Sequence, residues 1–100
     1  MLKSFSIWIE SIRNEYSKRG IAFFDVVCSN EEVEEKSARV DFSYLGLFGR
    51  ITLWDTGESD LELLDSDTGD IINYITVVVC EQTFRAVYES YFDSMKNYNK

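Results

Sequence analysis

Ala38-Arg39-Val40-Asp41-Phe42-Ser43-Tyr44 alternates side-chain character along its length. Val40, Phe42 and Tyr44 fall on one side, and Arg39, Asp41 and Ser43 on the other. A period of two marks a half-buried strand. Downstream, Gly46 and Gly49 flank Leu47-Phe48 and predict a turn or bulge before a strand over Arg50–Asp55. Thr56-Gly57-Glu58 then makes a hairpin-type connection to a strand over Asp60–Asp65. The turn Ser66-Asp67-Thr68-Gly69-Asp70 leads into Ile71–Cys80, where the triplet Val77-Val78-Val79 favours strand. Upstream, Ile21–Cys28 is dense in β-branched and aromatic residues and reads as one more strand. Ser29–Lys36 between them is a charged connection, either a loop or a single helical turn.

At both ends the period changes. Phe5, Trp8, Ile9, Ile12 and Tyr16 form a helical stripe within residues 4–19, and Gly20 stands where a C-terminal cap belongs. Thr83 occupies an N-cap position ahead of Phe84, Val87, Tyr88, Tyr91, Phe92 and Met95, a second helical stripe. Strands joined by short turns pair antiparallel. The expected architecture is therefore α+β: an antiparallel sheet of four to five strands, flanked by an N-terminal and a C-terminal helix packed on one face. Residues 1–100 are expected to form a single domain.

Charge and composition narrow the chemistry. Ten basic against eighteen acidic residues give a net charge of -8, which disfavours direct nucleic-acid binding because phosphate affinity comes mostly from Lys and Arg. There is no histidine, so the commonest general base and metal ligand is missing, and no Ser-His-Asp or Cys-His pair can form. Gly46-Leu47-Phe48-Gly49 lacks the Gly-Lys-Ser/Thr of a phosphate loop. Cys28 and Cys80 have no other suitable ligands nearby for zinc. Asp65–Asp70 superficially resembles a calcium loop, but its Gly69 falls at position 5 and Thr76 at position 12, so a β-turn is expected. The chain is read as a non-enzyme with no cofactor and no metal. Glu10 and Arg13 interrupt the N-terminal stretch before a signal-peptide core can form. The longest apolar stretch, Ile71–Cys80, is far short of a membrane span. A cytoplasmic location without membrane contact is expected, with Cys28 and Cys80 as reduced core thiols.

The acidic stretch is the most informative feature. Asp55, Glu58, Asp60, Glu62, Asp65, Asp67 and Asp70 follow one another with no basic residue among them, and Glu31, Glu32, Glu34 and Glu35 crowd the earlier connection. Such a concentration is either a solvated face that aids solubility or a docking face for a basic partner, where complementarity raises on-rate and specificity. Trp54 lies at the wrong parity for the face of Ile51 and Leu53, directly beside Asp55. With Leu64 it lines either the outer sheet face, where a Trp among acids suits an interface anchor, or a second apolar layer under a helix.

Gly49-Arg50-Ile51-Thr52-Leu53-Trp54-Asp55-Thr56-Gly57-Glu58, followed by Leu61-Glu62-Leu63-Leu64-Asp65 and Thr68-Gly69-Asp70, resembles the TriTu-type immunity proteins of bacterial polymorphic toxin and contact-dependent growth inhibition systems. The specific resemblance covers residues 49–70; elsewhere it rests on element order. It implies a small cytoplasmic protein that neutralises a cognate toxin C-terminal domain by occlusion, with no catalytic residues to carry over. Trp54, Asp55, Gly57 and the Thr68-Gly69 turn match the pattern, and they serve the hairpins as readily as a toxin contact.

The acidic face suits a basic toxin such as a nuclease, and the sequence leaves a pore-forming or NAD-consuming toxin open. The candidate toxin-binding residues are Trp54, Asp55, Glu58, Asp60, Glu62, Asp65, Asp67 and Asp70. The alternative is an acidic nucleic-acid mimic or regulatory adaptor that binds a basic host protein through the same face. A small structural subunit, acidic only for solubility, is a third reading. The sequence leaves the oligomeric state open.

Overall fold

The computed structural model describes residues 1–30 and 32–98. The first apolar stripe forms helix α1, Leu2–Lys18, and buries Phe5, Trp8, Ile9, Ile12 and Tyr16. It stops where Gly20 takes φ +90°. There the Gly20 N–H donates to the Ser17 carbonyl and the Ile21 N–H to that of Tyr16, the paired closure that a left-handed residue after a helix permits.

Six antiparallel strands follow: β1 Ala22–Phe23, β2 Val27–Cys28, β3 Ser37–Tyr44, β4 Leu47–Trp54, β5 Glu58–Asp65 and β6 Ile71–Val78. The sheet runs β1-β3-β4-β5-β6, with β2 also on β3. Helix α2, Phe84–Ser94, and a 3-10 turn over Met95–Tyr98 close the described chain. The α+β class and the two terminal helices are as the sequence implies.

Two strand readings need correction. Ile21–Cys28 is not continuous, because β1 and β2 pair with β3 in registers one residue apart: Phe23 faces Phe42, but Val27 faces Arg39. An unbroken strand would aim Asp25 at the core on the same side as Phe23. The slip leaves Asp25 exposed instead, which avoids burying an unpaired charge. Leu47–Gly49 likewise belongs to β4 and not to a turn, since the β3–β4 hairpin turns at Leu45-Gly46. Gly49 faces Phe42 across the ladder, and a Cβ on it would stand 2.1 Å from the Phe42 ring. Gly49 thus makes room for an aromatic ring rather than ending a strand.

One face of the sheet carries the core. Ala38, Val40 and Phe42 of β3, Leu47, Ile51 and Leu53 of β4, and Leu61 and Leu63 of β5 are all buried. Both helices lie on this side and meet through aromatic edges. Phe5 packs on Phe84 and Tyr88, Tyr16 on Phe92, and Phe42 on Tyr91 and Phe92. Arg13 of α1 fastens that helix to the first strand by donating to the Phe23 and Phe24 carbonyls. Inside this layer the Tyr88 hydroxyl meets Ser59 Oγ at 2.8 Å, and Ser59 donates to the Thr52 carbonyl at 2.9 Å. The cysteines are not core residues: Cys28 and Cys80 are both free and exposed. Cys28 sits on a two-residue strand at the broken edge, and Cys80 follows the end of β6.

Candidate functional site

With both helices on the inner side, side chains of the opposite parity form an open outer face. β4 contributes Phe48, Arg50, Thr52 and Trp54; β5 contributes Glu58, Asp60, Glu62 and Leu64. β3 adds Arg39, Asp41 and Ser43, and β6 adds Tyr74, Thr76 and Val78. Of the two readings for Trp54 and Leu64, the outer face is the one the structure adopts. Both are half-buried there.

β5 fixes the acids. Glu58, Asp60 and Glu62 project outward at alternate positions because Ser59, Leu61 and Leu63 must point into the core. Successive carboxylates in the row are therefore about 7 Å apart. Asp55 lies in the β4–β5 turn at one end of the row, and Asp65, Asp67 and Asp70 lie at the other end, about 24 Å away along the strand. A contiguous acidic sequence thus folds into a stripe rather than a cluster. The connection through Glu32, Glu34 and Glu35 comes back to the Asp55 end, where the Asp55 N–H donates to the Lys36 carbonyl at 3.0 Å. Glu31 lies outside the described residues.

The candidates are not alike in their surroundings. Asp65 Oδ1 accepts from the N–H groups of Asp67 and Thr68 at 2.9 and 3.2 Å, so this carboxylate shapes its own turn. Thr68 Oγ1 accepts from the Asp70 N–H in the same turn. Asp60 accepts from Thr76 Oγ1 at 3.2 Å. Asp60 also raises the neighbouring Tyr74 phenol above its ordinary pKa, by hydrogen bonding first and then, after desolvation, by charge. Asp67, Asp70, Asp55 and Glu58 are exposed.

Sequence reasoning did not include the residues that modulate this charge. Arg50 stands between Asp41 and Glu62, its direct neighbours across both ladders. It holds Asp41 through Nε–Oδ1 at 2.7 Å and Nη2–Oδ2 at 3.1 Å, the bidentate geometry that gives such pairs their directionality. That bond to Asp41, ahead of the field of Glu62, raises the Arg50 pKa. Among the described residues, Glu58, Asp60 and Glu62 form no ion pair within 4.0 Å. The alternation in β4 was the signal for Arg50: it shares the parity of Trp54.

The described residues hold no group of three or more His, Cys, Asp or Glu placed to bind a metal ion. No described helix is long and apolar enough to cross a membrane. The arrangement offers charge, an indole and an uncovered sheet face, which are the means of a binding surface.

Compared with known proteins, residues 3–94 match the model of the family described as immunity protein TriTu. No curated protein matches the chain.

Proposed function

Because this chain belongs to the TriTu family of immunity proteins, we propose that it neutralises its cognate toxin by laying the outer sheet face over the toxin's active site. The carboxylate row Glu58, Asp60 and Glu62, which no cation among the described residues pairs within 4.0 Å, carries this reading. Trp54 supplies the apolar anchor at one end of the row, beside Asp55; Asp65, Asp67 and Asp70 extend the charge beyond the other. Aromatic anchors ringed by polar groups are where interfaces concentrate their energy.

A basic toxin is the natural match, and a nuclease is the class whose cleft must be basic to hold phosphates. Asp and Glu side chains would take the Arg and Lys partners that substrate needs, and the domain would fill the space above them. Close charge pairs at such interfaces couple by about 1.5–7 kcal/mol. The encounter takes place in the cytoplasm, where a toxin delivered from a neighbouring cell would act. This role is inhibition by occlusion, with no reaction at the face.

The test is co-expression with the product of the adjacent reading frame, followed by affinity measurement on the purified pair. The triple variant Glu58→Gln, Asp60→Asn, Glu62→Gln keeps size and hydrogen-bonding shape. It is expected to bind at least about tenfold more weakly while folding like the parent. Equal affinity removes this face from the mechanism. Capture of a host DNA-binding protein, with no toxin partner, favours the nucleic-acid mimic.

A further inference from the structure

The two edges of the sheet are finished differently. One is broken into the two-residue strands β1 and β2 on β3. At the other, β6 runs for eight residues, Ile71–Val78, and among the described residues it pairs with β5 on one side only. It contains neither a charged residue nor a proline. Ile71 is 67% exposed and Val78 76% exposed. Proteins usually blunt such an edge with charge, proline or a short strand, because its free N–H and C=O groups template further pairing.

Beneath this edge the inner layer is also incomplete. Ile75 and Val77 of β6 and Val87 and Ser90 of α2 line a groove of about 490 Å³. Tyr91 forms another part of its wall, only 7% exposed, and the buried Tyr91 hydroxyl has no hydrogen-bond partner among the described residues. An unmet buried hydroxyl costs about 1–3 kcal/mol, so this wall is short of one acceptor. On the outer side Tyr74, Thr76 and Val78 face Glu62, Asp60 and Glu58 of β5 across the ladder.

We propose that β6 takes an extended segment of the toxin as an added strand, whose side chains alternate between apolar residues entering the groove against α2 and basic residues reaching over Thr76 to Asp60 and Glu62. This inference rests on the immunity reading and names the toxin element that the chain grips. Main-chain hydrogen bonds supply the grip, and the alternate side chains supply selectivity. An added strand lies about 10 Å from β5, a span that a Lys or Arg side chain and a carboxylate side chain cover together. Charge decides between the two candidate occupants. A second copy of this chain would present another uncharged β6 and leave the Glu58, Asp60 and Glu62 row uncompensated on both copies. A strand that alternates basic and apolar residues satisfies the row and the groove together.

The probe is a short capped peptide alternating lysine and valine, with hydrogen exchange read residue by residue. Amides of Ile71–Val78 that face solvent in the free chain are expected to slow by about tenfold or more with the peptide, while those of β1 and β2 do not change. Replacing its lysines with glutamates is expected to abolish the slowing, and Ile75→Lys in the protein to weaken it by about tenfold. The Val78→Lys variant checks the same edge without touching the groove. Unchanged β6 exchange at millimolar peptide, equal binding of the glutamate peptide, or a free chain that sediments as a dimer with β6 already protected each overturns the proposal. The immunity reading is scored separately by rescue of growth against the toxin. A chain that rescues growth and ignores the peptide overturns only the strand addition.

Discussion

Ser59 and Tyr88 form the polar join between sheet and helix, and their hydrogen bonds have a direction. Ser59 has one hydroxyl hydrogen, and it goes to the Thr52 carbonyl at 2.9 Å. The 2.8 Å contact with Tyr88 must then be donated by the tyrosine. Removing the two partners therefore has unequal effects. Tyr88→Phe deletes a donor and leaves Ser59 still bonded, which costs about 1 kcal/mol; Ser59→Ala strands a buried phenol, which costs about 2 kcal/mol. Urea titrations at pH 7, followed by tryptophan fluorescence, measure both. Equal losses, or a larger loss for Tyr88→Phe, would refute the assigned direction.

The same pair predicts an alkaline weakness. Burial raises the Tyr88 pKa from 10 to about 12. Between those values the native state holds a proton that the unfolded chain has lost. Stability is thus complete below pH 10 and falls as pH rises toward 12, by about 1 kcal/mol per pH unit for this group. Tyr91, pushed up chiefly by burial, adds a loss of the same sign. Repeated at pH 11, the titration of the parent should show the drop, and Tyr88→Phe should recover about 1 kcal/mol of it. An unchanged alkaline loss in Tyr88→Phe would mean that this phenol ionises as freely in the fold as outside it.

Two further outcomes follow from local geometry. Gly49→Ala drives a methyl into the Phe42 ring, and Gly57→Ala sets one 2.4 Å from the Val79 carbonyl oxygen at φ +96°. Each should cost about 1–3 kcal/mol in the same urea assay, whereas Gly69→Ala, with open space around it, should cost less than Gly57→Ala. Native protein should react with a thiol reagent at both cysteines without denaturant, since both are exposed. Cys80 should react faster as pH rises toward neutrality, because its bond with Thr83 holds the thiol below its ordinary pKa. A burst of one thiol or none would contradict their placement.

How much of this was legible depends on whether one dimension sufficed. The helices were, because each stripe names its own buried face: Phe5 to Tyr16 and Phe84 to Met95 lie against one core. The strands β3 to β6 were too, apart from the start of β4 and from Glu58, which read as part of the turn and is the first residue of β5. Leu47-Phe48-Gly49 read as a turn because a glycine in a strand has no local explanation; the explanation is the Phe42 ring on another strand. Asp25 is the reverse case. The charge in a β-rich segment was visible, and it interrupts the pairing that its neighbours favour. Thr83 does stand at the N-cap, yet its hydroxyl accepts from the Cys80 N–H at 2.9 Å and makes no cap bond. The cysteines misled because β-rich surroundings suggest burial, and a strand two residues long cannot supply it.

The outer face was legible only in part. Alternation put Asp60 and Glu62 on one side and left Trp54 between the outer face and a layer under a helix; it could not give the distance between Asp55 and Asp67, which depends on β5 running unbroken between two turns. Much of the stretch that carries the family likeness is accounted for by folding alone. Gly49 clears a ring, Gly57 turns beneath the Val79 carbonyl, and Asp65 and Thr68 each accept a backbone N–H within one hairpin. Those residues answer to this chain's own backbone and would be needed whatever the partner. Trp54, Glu58, Asp60 and Glu62 answer to no such backbone demand, since parity aims them away from the core and, among the described residues, no cation pairs with the acids within 4.0 Å. Nor does any folding requirement keep β6 free of charge; an exposed edge would be safer with one. The residues least explained by the fold, the carboxylate row and the bare edge beside it, are neighbours across a single ladder. One extended basic segment can therefore engage both.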